Sequence, residues 1–309
     1  MPDLNDLQLE LRRLAAERDA VILAHNYQRP EVQEAADHTG DSLELARIAA
    51  RDEHSVILFC GVHFMAETAY ILAPHKTVLM PDKRAGCPMA NMVTVAGLRS
   101  LKAEHPDAAV VAYVNTSAAI KAEVDVCCTS ANAVQIVERF PRDQEIIFVP
   151  DRNLGDYIAH QTGRTDTMIM WPGYCHVHEE FNAADIAAAR AADPEAVVLA
   201  HPECRREVLE VADAVTSTSG MLRYPAESPA VSFIIATETA LIYRLRTMYP
   251  DRRFTSACTR AVCPNMKLTT LEKCVATLGD EFDDTLEHEV TVAPQVREAA
   301  LRAVERMIS

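Results

Sequence analysis

Short apolar runs recur along the chain, separated by stretches whose apolar residues have helical spacing. The runs predict strands at about 21–24, 38, 55–60, 77–80, 110–113, 126–128, 145–149, 166–170, 197–200, 214–215, 231–236 and 254–257. The other stretches predict helices at about 1–20, 43–51, 91–105, 131–139, 179–192, 239–248, 266–278 and 290–309. Apolar strands that alternate with helices are typical of parallel sheets covered by helices on both faces. We therefore predict an α/β protein.

The pattern repeats within the chain. Two residue sets recur at steps of 88 residues: Cys87, Cys175 and Cys263, and Asp37, Asp125 and Asp213. This period exceeds the roughly 20 to 50 residues of solenoid repeats, so each copy is expected to be a small domain. We predict three homologous α/β/α domains, each with a four-stranded parallel sheet, in pseudo-threefold symmetry around a central active site. Their predicted ranges are 1–87, 88–175 and 176–263, with the tail 264–309 packing back on the first.

The composition narrows the class of protein. The formal net charge is −15, and a strongly acidic chain is a poor ligand for nucleic acid or an anionic membrane. Residues 1–20 lack the apolar core of a signal peptide, and no apolar run reaches 18 residues. We expect a cytoplasmic protein without membrane contact. Its nine cysteines are then expected to be reduced thiols, ligands or core residues rather than disulfides.

Polar residues follow the predicted strands at their carboxyl ends, where open parallel sheets bind ligands. The first strands of the copies are followed by His25, Asn26 and Tyr27, by Tyr113 and Asn115, and by His201 and Glu203. The second strands are followed by Asp41–Ser42, Thr129–Ser130 and Ser217–Thr218. Each of these pairs is expected to open a helix with a hydroxyl cap and to offer N–H groups to an anion. The plainer interpretation is capping alone, and for the histidines a hydrogen-bonded core position.

The fourth strands are followed by Cys87, Cys175 and Cys263, which we call the repeat cysteines. Three thiolates at one centre would leave a coordination position open, as in a 4Fe–4S cluster with one iron not held by protein, or in a three-ligand zinc site. The plainer interpretation is three buried core cysteines. Cys258 lies five residues before Cys263 and competes with it as third ligand, although the period favours Cys263.

An ordered set of motifs covers nearly the whole chain and resembles the quinolinate synthase family. The motifs are HNY at 25–27, AGCPMANM at 85–92, YVN at 113–115, CTSAN at 128–132, GYCHVH at 173–178, HPEC at 201–204, STS at 217–219 and CPNMK at 263–267. The resemblance implies a pseudo-threefold arrangement of three α/β/α domains and a 4Fe–4S cluster with three cysteine ligands. It also implies condensation of iminoaspartate with dihydroxyacetone phosphate to quinolinate, with loss of phosphate and two waters, on the route to NAD.

The resemblance also implies roles for individual residues. The cluster ligands are then the repeat cysteines, and Tyr27, His178, His201 and Glu203 are the catalytic residues. The implied substrate contacts are His25, Ser42, Tyr113, Asn115, Ser130, His201, Glu203, Ser217 and Thr218. His176 lies beside His178 and leaves open which histidine of that loop is functional.

Two other functions stay open from the residues alone. One is another iron–sulfur hydro-lyase acting on a small carboxylate. The other is a non-enzymatic iron–sulfur or zinc sensor, which would use the repeat cysteines structurally. The expected partners are the small-molecule substrates and, transiently, the enzyme that supplies iminoaspartate.

Overall fold

The computed structural model of the protein describes residues 4–279 and 285–309. The predicted strands are present: β1 (Ala20–His25), β2 (His38–Gly40), β3 (Val56–Cys60), β4 (Thr77–Leu79), β5 (Ala109–Tyr113), β6 (Val126–Cys128), β7 (Ile146–Val149), β8 (Met168–Met170), β9 (Val197–Ala200), β10 (Ala214–Val215), β11 (Ser232–Ala236) and β12 (Arg253–Ser256). They form three parallel four-stranded sheets with the same order, β2-β1-β3-β4, β6-β5-β7-β8 and β10-β9-β11-β12. The predicted α/β fold class is confirmed.

Helices connect the strands. They are α1 (Leu4–Glu17), α2 (Pro30–Ala35), α3 (Ser42–Arg51), α4 (His63–Leu72), α5 (Val95–Glu104), α6 (Ala118–Lys121), α7 (Ala133–Glu138), α8 (Arg152–Thr162), α9 (Ala183–Ala192), α10 (Arg206–Leu209), α11 (Thr218–Glu227), α12 (Leu241–Met248), α13 (Leu271–Leu278), α14 (Thr285–His288) and α15 (Pro294–Ile308). Among the described residues, no helix is both long and apolar enough to cross a membrane.

The helices that follow the repeat cysteines begin four or five residues later than predicted. A short 3-10 turn comes first in each copy, at Met89–Asn91, His178–Glu180 and Met266–Leu268. The helix then starts after a capping residue, Thr94, Asn182 or Thr270. The side-chain oxygen of each cap accepts the backbone N–H of the residue three positions later. These caps are also 88 residues apart. In copies one and three the 3-10 turn contains apolar residues, which made the helical pattern seem to begin earlier.

Asp37 and Asp213, two of the repeated aspartates, share a structural role. The Asp37 carboxylate accepts the backbone N–H of Ile22 at 2.8 Å, and the Asp213 carboxylate accepts that of Val198 at 2.7 Å. Each aspartate therefore satisfies a donor of the first strand just before the short second strand begins.

The chain divides into two compact units. The first comprises Met1–Asn91, Val114–Cys127 and Pro264–Ser309, and the second Met92–Tyr113 and Cys128–Cys263. Within the first unit, α13 packs on α1, and α15 packs on α3, α4 and α6. The three-domain boundaries stay a prediction.

Candidate active site and metal centre

The loops that bear the repeat cysteines are held by the same main-chain hydrogen bond in every copy. The donor is the backbone N–H of the third residue after β3, β7 or β11, and the acceptor is the carbonyl two residues before the cysteine. The three bonds are His63 to Ala85 (2.8 Å), Arg152 to Gly173 (2.8 Å) and Thr239 to Ala261 (3.0 Å). We call this bond the loop tether. It shows that the sequence repeat is also a structural repeat around each cysteine.

Exposure separates the repeat cysteines from the rest. All nine cysteines are described, and only Cys87, Cys175 and Cys263 are partly exposed, whereas the other six are buried. In the second unit, Cys175 and Cys263 pack at the margin of one apolar cluster. Cys258 lies inside that cluster and is 4% exposed. The competitor for the third ligand position is therefore a core residue.

The loop after Cys175 carries a buried histidine that meets a buried glutamate. His178 Nδ1 is 2.6 Å from Glu203 Oε2, and His178 Nε2 is 2.9 Å from the Thr237 hydroxyl. His201 stacks on His178, with ring centroids 4.5 Å apart, and its Nδ1 is 4.0 Å from Glu203 Oε2. The Tyr113 hydroxyl also bonds Glu203. Four predicted site residues of the second unit thus lie together, and His178 is the histidine of its loop that faces Glu203.

The charge state of this cluster follows from its contacts. Burial raises the pKa of Glu203, but His178, then His201 and Tyr113, outweigh that effect and lower it below the ordinary value. The neighbouring Asp151 behaves oppositely, because burial and the Glu203 charge raise its pKa well above the usual range. The environment thus lowers the pKa of one carboxyl group, beside two imidazoles, and raises that of its neighbour. Groups whose environments push their pKa values apart are typical of proton-transfer sites.

The first-strand ends of copies one and three share a local geometry. The backbone N–H of Tyr27 donates to His25 Nδ1 at 3.1 Å, and that of Glu203 donates to His201 Nδ1 at 3.3 Å. Both rings therefore accept at Nδ1, so the proton of the neutral imidazole lies on Nε2. In the first unit, Tyr27 also meets His25 edge-to-face, with ring centroids 4.6 Å apart.

The expectation that a hydroxyl caps each second-strand helix is wrong in two copies. Asp41 caps α3 through the N–H groups of Leu43 and Glu44, so Ser42 is the first helical residue. No side-chain cap opens α7, and Ser130 precedes that helix by three residues. Ser217 does cap α11, by accepting the Gly220 N–H, which leaves Thr218 as the first helical residue. The hydroxyls of Ser42 and Thr218 are thus not accounted for by capping.

A further predicted contact has an unused polar atom. Asn115 Oδ1 is buried and has no hydrogen-bond partner among the described residues. Both side-chain polar atoms of the buried Asn26, next to His25, also have no hydrogen-bond partner among the described residues. An unpaired buried polar group is costly, which is consistent with a bound ligand as its partner.

Three buried residues of the second unit were not predicted for the site. Asp151 and Glu238 follow β7 and β11, and Thr237 directly follows β11. The signal that could have found them was a polar residue after an apolar strand, the same signal that identified the first-strand ends.

The donor set fits a metal or cluster site. Ligand atoms of Cys175, His178 and Glu203 all lie within 4.8 Å of one another. The partly exposed thiols in tethered loops suit iron or zinc, both of which thiolates bind. Three parallel sheets with polar strand ends, accessible thiols and a buried histidine–glutamate cluster define an α/β enzyme with a candidate metal centre.

Comparison with known proteins identifies the family. The model of the quinolinate synthetase A protein family matches residues 9–309. The quinolinate synthase of Geobacter metallireducens is 53% identical over 98% of this chain and 97% of its own length. Those of Desulforudis audaxviator and Methanoregula boonei are each 50% identical, over 99% and 100% of both chains respectively. The chain belongs to the quinolinate synthetase A family, and the resemblance drawn from its motifs is confirmed.

Proposed function

We propose that this protein is a quinolinate synthase of NAD biosynthesis that condenses iminoaspartate with dihydroxyacetone phosphate and releases phosphate and two waters. The proposal rests on full-length similarity to relatives of that name. One structural observation carries it further: of nine cysteines, only the three at the repeat positions are partly exposed. We place the reaction in the cytoplasm.

Cys87, Cys175 and Cys263 are the proposed ligands of a 4Fe–4S cluster. When bound, such a cluster supplies a Lewis-acidic iron with an open position that helps water leave. The proposed pseudo-threefold arrangement gives each domain one ligand.

The protein's own groups handle the protons in this proposal. The ionised Glu203 keeps the His178 ring oriented for proton transfer, because its carboxylate is 2.6 Å from Nδ1. His201 offers its Nε2–H as a donor, since Nδ1 is occupied by the Glu203 N–H. Tyr27 is the proposed proton-transfer group of the first unit.

The remaining predicted contacts bind the substrates. These bring two carboxylates and a phosphate, and the protein as a whole is acidic, so local donors must hold them. The proposed donors are His25, Ser42, Tyr113, Asn115, Ser130, Ser217 and Thr218.

The test uses anaerobically purified protein reconstituted with iron and sulfide. We expect about four iron and four sulfide per chain and quinolinate formation that chelation abolishes. The control is Cys258→Ser, which retains the repeat cysteines. Full activity of a metal-free sample would end the metal-dependent proposal.

A zinc-binding protein is the second candidate, because the Cys175, His178 and Glu203 ligand atoms lie within 4.8 Å of one another. That function would give stoichiometric zinc, no sulfide and no turnover.

A further inference from the structure

Two of the cysteine loops are bound by a buried carboxylate in addition to the loop tether. The residue that precedes the tether donor is Asp151 in copy two and Glu238 in copy three, and both are fully buried. The backbone N–H of Cys263 donates to Glu238 Oε1 at 3.1 Å. The backbone N–H of Cys175 likewise bonds the Asp151 carboxylate. In copy one the same position is Val62, which has no hydrogen-bonding side chain.

Each carboxylate also binds the start of the following helix. The second oxygen of Glu238, Oε2, accepts the backbone N–H of Ala240 at 2.8 Å. Asp151 Oδ1 accepts those of Asn153 and Leu154 at 2.8 and 2.9 Å. Each side chain therefore bridges a helix N-terminus and a cysteine loop. Burying a carboxylate is costly unless several donors satisfy it, and Glu238 accepts through both oxygens, so its bridge fixes both partners. Asp151 Oδ2 has no hydrogen-bond partner among the described residues, so its bridge is the less complete of the two.

We propose that Glu238 and Asp151 are positioning residues of the metal centre, which fix the backbone of Cys263 and Cys175 before metal binds. This inference rests on the proposed function. Copy one differs in this respect, because Val62 cannot form such a bridge to the Cys87 loop. The two anchored N–H groups point to carboxylates and are withheld from any sulfur, which keeps the centre more negative and lowers its reduction potential.

Glu238→Gln tests the inference, because glutamine keeps the size of the side chain but has one acceptor oxygen instead of two. The amide –NH2 then faces one of the two N–H donors. A lost hydrogen bond is worth about 0.5 to 1.5 kcal/mol, which corresponds to a roughly 2- to 13-fold effect. We expect a chelator to remove iron from the reconstituted variant roughly 2- to 13-fold faster than from the parent protein. We also expect a more positive midpoint potential in an anaerobic redox titration followed by electron paramagnetic resonance.

The apo protein supplies a readout that needs no cluster. Alkylation of Cys263 is compared with that of Cys87 in the same molecule by peptide mass spectrometry. In Glu238→Gln the Cys263 to Cys87 ratio should change, and in Asp151→Asn the Cys175 to Cys87 ratio should change instead. Only anchoring predicts this pairing of each variant with one cysteine. The alkylation test remains valid if the protein proves to hold no iron–sulfur cluster. Absence of a cluster in the parent protein would count against the proposed function alone.

Asn182→Ala is the matched control. Asn182 caps α9 in the same unit without a hydrogen bond to a repeat cysteine, and loss of such a cap destabilises a protein modestly. It should leave the iron-release rate, the potential and the alkylation ratios unchanged. Unchanged ratios in both carboxylate variants would overturn the inference. So would equal changes in the control, since general destabilisation would then explain them.

Discussion

Cys258 and Cys263 should respond in opposite ways to replacement by serine. Cys258 is 4% exposed within an apolar cluster of the second unit, whereas Cys263 lies partly exposed at the margin of that cluster. A serine hydroxyl buried at 258 costs about 1 to 3 kcal/mol. That lowers the ratio of folded to unfolded protein roughly 5- to 150-fold. The same change at 263 places the hydroxyl where water reaches it, so the free energy of unfolding should change by less than about 0.5 kcal/mol.

The metal content should show the reverse order. Cys263→Ser replaces a thiolate by a harder oxygen that is a poorer partner for iron, so iron, sulfide and quinolinate formation should be lost or strongly reduced. Cys258→Ser should retain all three in the molecules that fold. The assays are urea unfolding of the apo proteins and iron and sulfide analysis of anaerobically purified samples, with Cys87→Ser and Cys175→Ser as positive controls. If Cys258→Ser lost its iron and Cys263→Ser kept it, the repeat alignment behind the ligand assignment would be wrong.

Four further predictions concern single contacts. Gly173→Ala should destabilise the protein and lower its iron content although copies one and three have Ala at this position, because the new Cβ would lie 2.3 Å from the Pro150 carbonyl oxygen; a normal urea midpoint would contradict this. Thr218→Ala should raise the Michaelis constants at unchanged stability, while the cap variant Ser217→Ala should also cost about 1 kcal/mol in urea unfolding; equal stability losses would refute the distinction. Thr237→Val removes the 2.9 Å contact to His178 Nε2, so kcat should fall and its pH profile should shift, and an unchanged profile would assign Thr237 to packing. Arg84, with Lys273, lowers the pKa of Asp82. The stability that the ionised Asp82 contributes is therefore present above pH about 4 and lost as pH falls below that value. Asp82→Asn should make stability depend less on pH in this range, and identical acid midpoints of the variant and the parent protein would reject the assignment.

Most strands could be predicted from the sequence because they are short apolar runs, and β1, β5, β7 and β11 are buried along their whole length. The repeat cysteines could be predicted just as well, since their 88-residue period is visible in the sequence alone. The helix starts after them were wrong because Thr94, Asn182 and Thr270 cap the helices only after a 3-10 turn. The residue types that cap helices, such as Thr and Asn, are also common in loops, and only the backbone geometry distinguishes the two cases.

The supporting residues of the site were harder to predict. Glu238 acts on Cys263 from 25 residues away, and Thr237 contacts His178 across 59 residues. A single buried carboxylate or hydroxyl after a strand has no periodicity and no local partner in the sequence. Its role depends on which loop the fold brings beside it, so the chemistry of the repeat cysteines was predictable and the anchoring of their loops was not.

The loop tether joins main-chain atoms only, so it does not depend on which side chains flank it. A bond from an amide N–H to a carbonyl oxygen survives nearly any exchange of the side chains that flank it. The donors His63, Arg152 and Thr239 have unrelated side chains, yet each cysteine loop is held by the same bond. Backbone geometry can therefore repeat while the side chains around each cysteine differ.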